Sequence, residues 1–204
     1  MIRRFFLIAL MLITTAPAMA LDRPLTAEEE QMIRDINAHN SAIHTMVGRF
    51  LQIDTNGGRV EGTFYIERPG KVRFRYAPPS REEIISVGRG FYIIDRSERT
   101  QYAYPQDRVP LRQFLEENID LFSANIIDVV TSEDFISVTI SDDTPIGVVN
   151  VALIFDIATK DLKQWTLTEP SGAELTFSLY DVAIDVEIPK SYFYIDPTYK
   201  PKTQ

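Results

Sequence analysis

Between Val60 and Pro79 the chain reads VEGTFYIERPGKVRFRYAPP, and its apolar residues recur at every second position on either side of a Pro-Gly pair. Val60, Phe64 and Ile66 share one face, continued after the turn by Val72, Phe74 and Tyr76, while Thr63, Tyr65, Glu67, Lys71, Arg73 and Arg75 share the other. One greasy face and one wet face predict a β-hairpin with its corner at Arg68-Pro69-Gly70. Counting by twos from Phe64 and Ile66 brings Arg68 onto the greasy face, where a guanidinium needs carbonyl or carboxylate partners or a route to water. Arg68 is therefore the first candidate functional residue.

Short runs of the same kind, bounded by turn residues, predict strands at 46–54, 59–67, 71–76, 81–87, 91–95, 101–104, 126–131, 135–141, 148–156, 162–168 and 174–182, with a last short one at 192–195. About eleven antiparallel strands joined by tight turns predict a mainly β domain, either a sandwich or a barrel. Two stretches depart from period two. Thr26-Ala27-Glu28-Glu29 is a capping-box pattern, and with Met32, Ile33 and Ile36 it predicts a helix over 27–39, continuing brokenly to 43. Pro110, followed by apolar residues at 111, 114, 115, 119 and 122, predicts a second helix that lies across a sheet or caps an opening. Val148–Phe155 is apolar on both faces apart from Asn150, which predicts a strand covered on both sides. Trp165, the sole tryptophan, reads as a core anchor. Two amphipathic helices over a curved, one-sided sheet make either a container for something hydrophobic or a filled core, and periodicity is identical in the two cases.

Composition narrows this picture. A chain of 204 residues with 45% hydrophobic residues makes one ordinary domain. Arg3 and Arg4, the apolar run from Phe5 to Ile13 and Ala18-Met19-Ala20 read as a secretory signal peptide over 1–20, which leaves 21–204 as a single exported domain. There is no cysteine, so disulfides, zinc-thiolate sites and the lipid-acceptor residue of a lipoprotein are all excluded. The charge of −8 becomes −10 without Arg3 and Arg4, since 19 basic residues then face 29 acidic ones. Such a surface repels nucleic acid and anionic headgroups.

Catalytic patterns are missing from the sequence. It has no G-x-S-x-G, no H-E-x-x-H and no phosphate-cradling glycine loop. His39 and His44 read as surface or helix-end residues rather than metal ligands, and Glu82-Glu83, Glu116-Glu117 and Asp142-Asp143 as surface charge and turn chemistry. Nothing here argues for an enzyme, a cofactor or a metal.

Three blocks in order carry a family resemblance. They are Gly62-x-Phe64-x-Ile66-x-Arg68-Pro69-Gly70-Lys71-x-Arg73-Phe74-x-Tyr76-x-x-Pro79, then Gly90-Phe91-x-x-x-Asp95, then Val109-Pro110-Leu111-x-x-Phe114-Leu115. With the Leu162-x-x-Trp165 strand, the chain resembles the LolA family of periplasmic outer-membrane lipoprotein carriers. The resemblance implies an unclosed antiparallel β-barrel whose helices form a lid over a hydrophobic cavity for acyl chains. It implies the acylated lipoproteins themselves as partners, with the inner-membrane LolCDE transporter as donor and an outer-membrane lipoprotein acceptor as recipient, for a monomeric carrier in the periplasm. No cofactor and no covalent step belong to such a carrier. The family's lid-latching arginine falls on Arg68, and the implied cavity lining is Phe64, Ile66, Val72, Phe74 and Tyr76 with Leu111, Phe114 and Leu115 from the lid. A lipid-sensing regulatory module on the same scaffold is the alternative.

Overall fold

The computed structural model describes residues 21, 23–110, 112–144 and 147–202. The expected signal segment and Leu111 lie outside the described residues.

The capping box forms as read. Thr26 Oγ1 accepts from Glu29 N at 3.2 Å, Glu29 Oε2 accepts from Thr26 N at 2.8 Å, and helix α1 (Ala27–Ala42) follows. It buries Ile33 and Ile36, one turn apart, against the sheet. A hydrogen bond from Arg23 holds the Glu29 carboxyl down to about 2, aided by the Thr26 bonds and opposed by burial, from its ordinary 4.5. A depressed carboxyl stabilises the fold at pH above 4.5, and that contribution fades as pH falls toward about 2. Thermal melts of Glu29→Gln should therefore lack part of the wild-type loss of stability across this acid window. Parallel curves for the two proteins would show that the cap carries no linkage.

The strands are β1 (Thr45–Asp54), β2 (Arg59–Glu67), β3 (Lys71–Tyr76), β4 (Glu82–Val87), β5 (Gly90–Asp95), β6 (Thr100–Pro105), β7 (Asn125–Thr131), β8 (Phe135–Thr144), β9 (Gly147–Asp156), β10 (Leu162–Thr168), β11 (Glu174–Ile184) and β12 (Lys200–Pro201). They form one sheet in the order β12-β6-β5-β4-β3-β2-β1-β11-β10-β9-β8-β7. Two up-and-down meanders, β1–β6 and β7–β11, are thus joined by the long β1·β11 ladder, and β7 ends one edge of the sheet while the β6/β12 side ends the other. The wall is unclosed.

Curvature has identifiable causes. Register slips in β1 between Val47 and Arg49, in β7 between Ile126 and Asp128 and in β10 between Leu162 and Gln164 bend the strands locally. Between β1 and β2, Phe50 faces Gly62 and Phe64 faces Gly48. A Cβ on Gly48 would sit 2.7 Å from the Phe64 ring and one on Gly62 would sit 2.5 Å from the Phe50 ring, so each phenylalanine lies flat over the other strand's glycine.

The expected count of about eleven strands agrees with the twelve in the described residues, of which the twelfth, two residues long, pairs parallel with β6. Three expectations need correction. The strand expected at 192–195 is a 3-10 turn, Lys190–Phe193, which lies on the outer face of β3 and β4. There Tyr192 O accepts from Arg73 at 2.8 Å, the Tyr65 and Tyr192 rings stand 4.6 Å apart, and Arg73 pairs with a nearly inaccessible Glu83 at 2.7 Å. Glu83 is therefore no surface charge. The helix expected from Pro110 is instead two 3-10 turns, Arg112–Leu115 and Leu121–Ser123. Its backbone groups bond outward rather than along an i−4 ladder. Phe114 O and Leu115 O accept from the hairpin corner, Ile119 N donates to Ser41 Oγ, and Leu121 N donates to Asn37 Oδ1. Phe122, expected on its apolar face, is exposed.

The inner face of the wall holds two apolar clusters. One joins Ile33 and Ile36 of α1 to Val129, Ile136, Val138, Val151, Leu153 and Phe155, and the other gathers Phe50, Phe64, Val72, Phe74, Tyr76, Phe177 and Leu179. On β9 only the face toward α1 is fully covered, since Val148 is exposed and Ala152 and Ile154 are half-buried. Trp165 packs against both clusters, stacked on Phe177 at 4.9 Å and edge-on to Phe74 at 5.9 Å, so it anchors the core at the join.

Candidate functional site

The central hairpin forms with Phe64 opposite Phe74, Ile66 opposite Val72 and Gly62 opposite Tyr76, so the alternation places these side chains on one face. Glu67 opposite Lys71 leaves Arg68-Pro69-Gly70 as a three-residue corner, with Gly70 at φ +76°, a conformation glycine adopts without strain. Phe64, Val72, Phe74 and Tyr76 are buried in the second cluster, with Ile66 and Leu115 half-buried against it. Phe114 belongs to the first cluster, where its ring stacks on Phe155 at 6.1 Å. Adjacent residues of the crossing segment thus reach into different halves of the core. The rings fill the interior they surround: Phe74 lies 5.1 Å from Phe50, 5.8 Å from Phe64 and 5.9 Å from both Trp165 and Phe177. Burial pushes the Tyr76 phenol above its ordinary value, and its hydroxyl is satisfied by Gln52 Oε1.

Arg68 is 8% exposed at the head of this face. Its Nε donates to Phe114 O at 2.7 Å and its Nη1 to Asn40 O at 2.9 Å and Ile43 O at 2.6 Å. Three main-chain carbonyls, two from the end of α1 and one from the crossing segment, are thereby gathered on one guanidinium. It has no carboxylate partner among the described residues, and burial pulls it down to about 10, so it stays charged at neutral pH.

Residues around the corner extend this arrangement. Gly70 N donates to Leu115 O at 2.6 Å, and Gln106 Nε2 donates to Gly70 O at 2.7 Å and to the buried hydroxyl of Ser86. Between Gln106 and Leu115 along the crossing segment, Arg112 makes a two-pronged pair with Asp142 of β8. Sequence reasoning missed Asn40, Gln106, Ser86, Arg112 and Asp142. The available signals were the place of Asn40 on the apolar stripe of α1 after Ile33 and Ile36 and that of Ser86 inside the apolar run 84–87; the others gain their partners only when distant strands come together.

Chain connectivity explains why these contacts meet. The segment 106–124 must carry the chain from β6, at one edge of the sheet, to β7, at the other, so it spans the gap in the wall. Among the described residues no helix is long and apolar enough to cross a membrane.

Comparison with known proteins agrees with this architecture. A family model described as outer membrane lipoprotein carrier protein LolA matches residues 41–196. An outer-membrane lipoprotein carrier protein of Alkalilimnicola ehrlichii is 32% identical over 78 residues, which is 36% of this chain and 36% of that protein, so the chain spans about a third of that relative's length. Among solved structures, a DUF1329 family protein from Desulfovibrio piger superposes with a TM-score of 0.52 at 8% identity, covering 80% of this chain and 95% of that one. An uncharacterized conserved protein from Thermus thermophilus gives 0.50 at 7% identity, covering 85% and 98%. At such identities the two structures speak to the fold alone. The match over residues 41–196, most of the chain and all of the sheet from β1 to β11, places this protein in the LolA family of outer membrane lipoprotein carriers.

Proposed function

We propose that the chain is a periplasmic carrier. Exported with its signal segment removed, it would take acylated lipoproteins released from the inner membrane by LolCDE, hold their acyl chains inside the unclosed wall, and pass them to an acceptor at the outer membrane. The observation that carries this reading is Arg68, a charged plug in an apolar wall held by three backbone carbonyls and, among the described residues, by no carboxylate. A permanent structural arginine would gain from an ion partner, whereas this one can be released by moving α1 and the crossing segment away.

Transfer requires a modest affinity. Burying acyl methylenes is favourable by about 0.8 kcal/mol each, so a rigid pocket already shaped for the chains would retain them. Here the aromatic side chains fill the interior when it is empty, and closure on Arg68 competes with the lipid. Phe64, Ile66, Val72, Phe74, Tyr76, Phe114 and Leu115 are the proposed lining, and Leu111 is assigned to it by sequence position alone. No nucleotide and no covalent step are needed, because the free energy of transfer comes from differences in binding between successive partners.

Mass spectrometry of the mature chain, purified from cells that make lipoproteins, tests the proposal. A lipoprotein bound in stoichiometric amount is the expected result. Free phospholipid without lipoprotein would favour the lipid-sensing alternative, and an empty protein that takes up neither from detergent-free donors would sink both.

A further inference from the structure

Net charge predicts a surface that repels anions, yet the sheet gathers arginines in one place. At the far end of the central hairpin from Arg68, about six residues or roughly 20 Å along the strands, a cleft of about 430 Å³ is lined by Arg49, Arg75, Arg81 and Arg96 together with Glu61 and Ser80. Glu61 is the one carboxylate in this lining, and it is already engaged by Arg49 at 3.3 Å, which also faces Asp181 at 3.8 Å. The nearby Glu83, cross-strand from Arg75, is buried against Arg73. Three guanidinium charges are thus left without a counter-ion in the cleft.

Their donors are held in place to different degrees. Arg96 is half-buried, its Nε donates to Arg81 O at 3.0 Å and its Nη2 to Tyr76 O at 3.1 Å, which fixes the guanidinium plane and leaves Nη1 without a partner among the described residues. The side chains of Arg75 and Arg81 are exposed and have no ion-pair or hydrogen-bond partner among the described residues. Ser80 Oγ accepts from Glu82 N at 3.2 Å, so its own hydroxyl hydrogen remains to be donated. Burial, and after it the charge of Arg75, pull Arg96 below the usual arginine range, and the charge of Glu83 opposes this without reversing it.

We propose that this cleft is a binding site for a phosphate oxyanion, either free or carried on a lipid headgroup. Forked guanidinium donors match oxyanions geometrically, and the free forks of Arg75 and Arg81, with Arg96 Nη1 and a hydroxyl around one cleft, suit a tetrahedral group with several free oxygens better than a planar carboxylate with two. An acidic chain that assembles unpaired arginines on a wall, away from the apolar interior, gains nothing in stability from their mutual repulsion. The site is separate from the acyl-chain reading, so either can fail without the other.

The test is thermal unfolding of the mature chain in rising inorganic phosphate, with ionic strength held constant by chloride. Wild type should show a saturable rise in melting temperature. Arg75→Gln combined with Arg81→Gln should need about tenfold more phosphate for the same rise, the loss expected from one or two charge-assisted hydrogen bonds. Both side chains are exposed and unpartnered, so this variant should fold, and Arg89→Gln with Arg108→Gln provides the same charge change elsewhere and should respond like wild type. Flotation with vesicles of phosphatidic acid, a phosphomonoester, against phosphatidylcholine then separates the sources. Binding to phosphatidic acid that the cleft variant loses assigns a headgroup, and a phosphate response without vesicle binding assigns a free phosphate. If wild type shows no saturable response, or if the control pair loses as much as the cleft pair, the site does not exist.

Discussion

Arg68→Leu should still accept lipoprotein but fail to hand it on. The substitution leaves Asn40 O, Ile43 O and Phe114 O without the donor that now joins them. Each unpaired carbonyl costs about 1 kcal/mol or more in the closed, empty form. Leucine also removes the cost of burying a guanidinium, which argues for the low end, a net of roughly 3 kcal/mol and about a hundredfold shift toward the loaded form. Lipid binding is spared because the apolar lining is intact. The decisive measurement is the rate at which loaded carrier delivers lipoprotein to outer-membrane acceptor. Delivery by Arg68→Leu at the wild-type rate would remove the latch from the mechanism, whereas slowed delivery with normal loading is the expected pattern.

The second large effect belongs to Phe74→Ala. Phe74 touches four other rings and is nearly inaccessible, so its loss removes both transfer energy and the edge-to-face contacts with Phe50, Trp165 and Phe177. Chemical denaturation should show a stability loss of about 3–5 kcal/mol. If the interior is the acyl site, the same variant should bind a fluorescent fatty-acid probe more tightly relative to its own stability, because less protein has to be displaced. A loss under about 1 kcal/mol would mean that the wall collapses around the gap, and the ring would then not be the filler we describe.

How much of this could be read beforehand depends on how local each cause is. The faces of the central hairpin follow from period two alone, and the observed pairs Phe64–Phe74 and Ile66–Val72 fall where alternation puts them. The cap at Thr26 was similarly legible, since its partner Glu29 lies within a few residues, whereas α1 runs unbroken to Ala42 past the break expected after 39, and its last carbonyls meet the distant Arg68. The stretch after Pro110 was not. Its apolar spacing fits a helix, but its carbonyls and amides meet Arg68, Gly70, Ser41 and Asn37 first, and those partners are 45 to 84 residues distant. Glu83 misled for the same reason. Alternation put it on the wet side of the sheet, and it is dry only because Lys190–Phe193 returns to cover that side. The unclosed wall came from the family resemblance, since strand periodicity is the same in a sandwich and a barrel.

The gap between the β6/β12 and β7 edges has a mechanical consequence. A sealed ring of strands has a fixed girth, because enlarging it means breaking a ladder along its whole length. Here the two meanders are hinged on β1·β11, and among the described residues the gap is crossed by the 106–124 segment with its bonds to Arg68, Gly70, Ser41 and Asn37, the Phe114–Phe155 stack and the Arg112–Asp142 pair. Spreading the edges costs those few ties and leaves every strand pairing intact. On the proposed reading the bore is therefore adjustable, and a single sequence would close around occupants of different bulk while remaining the same folded sheet.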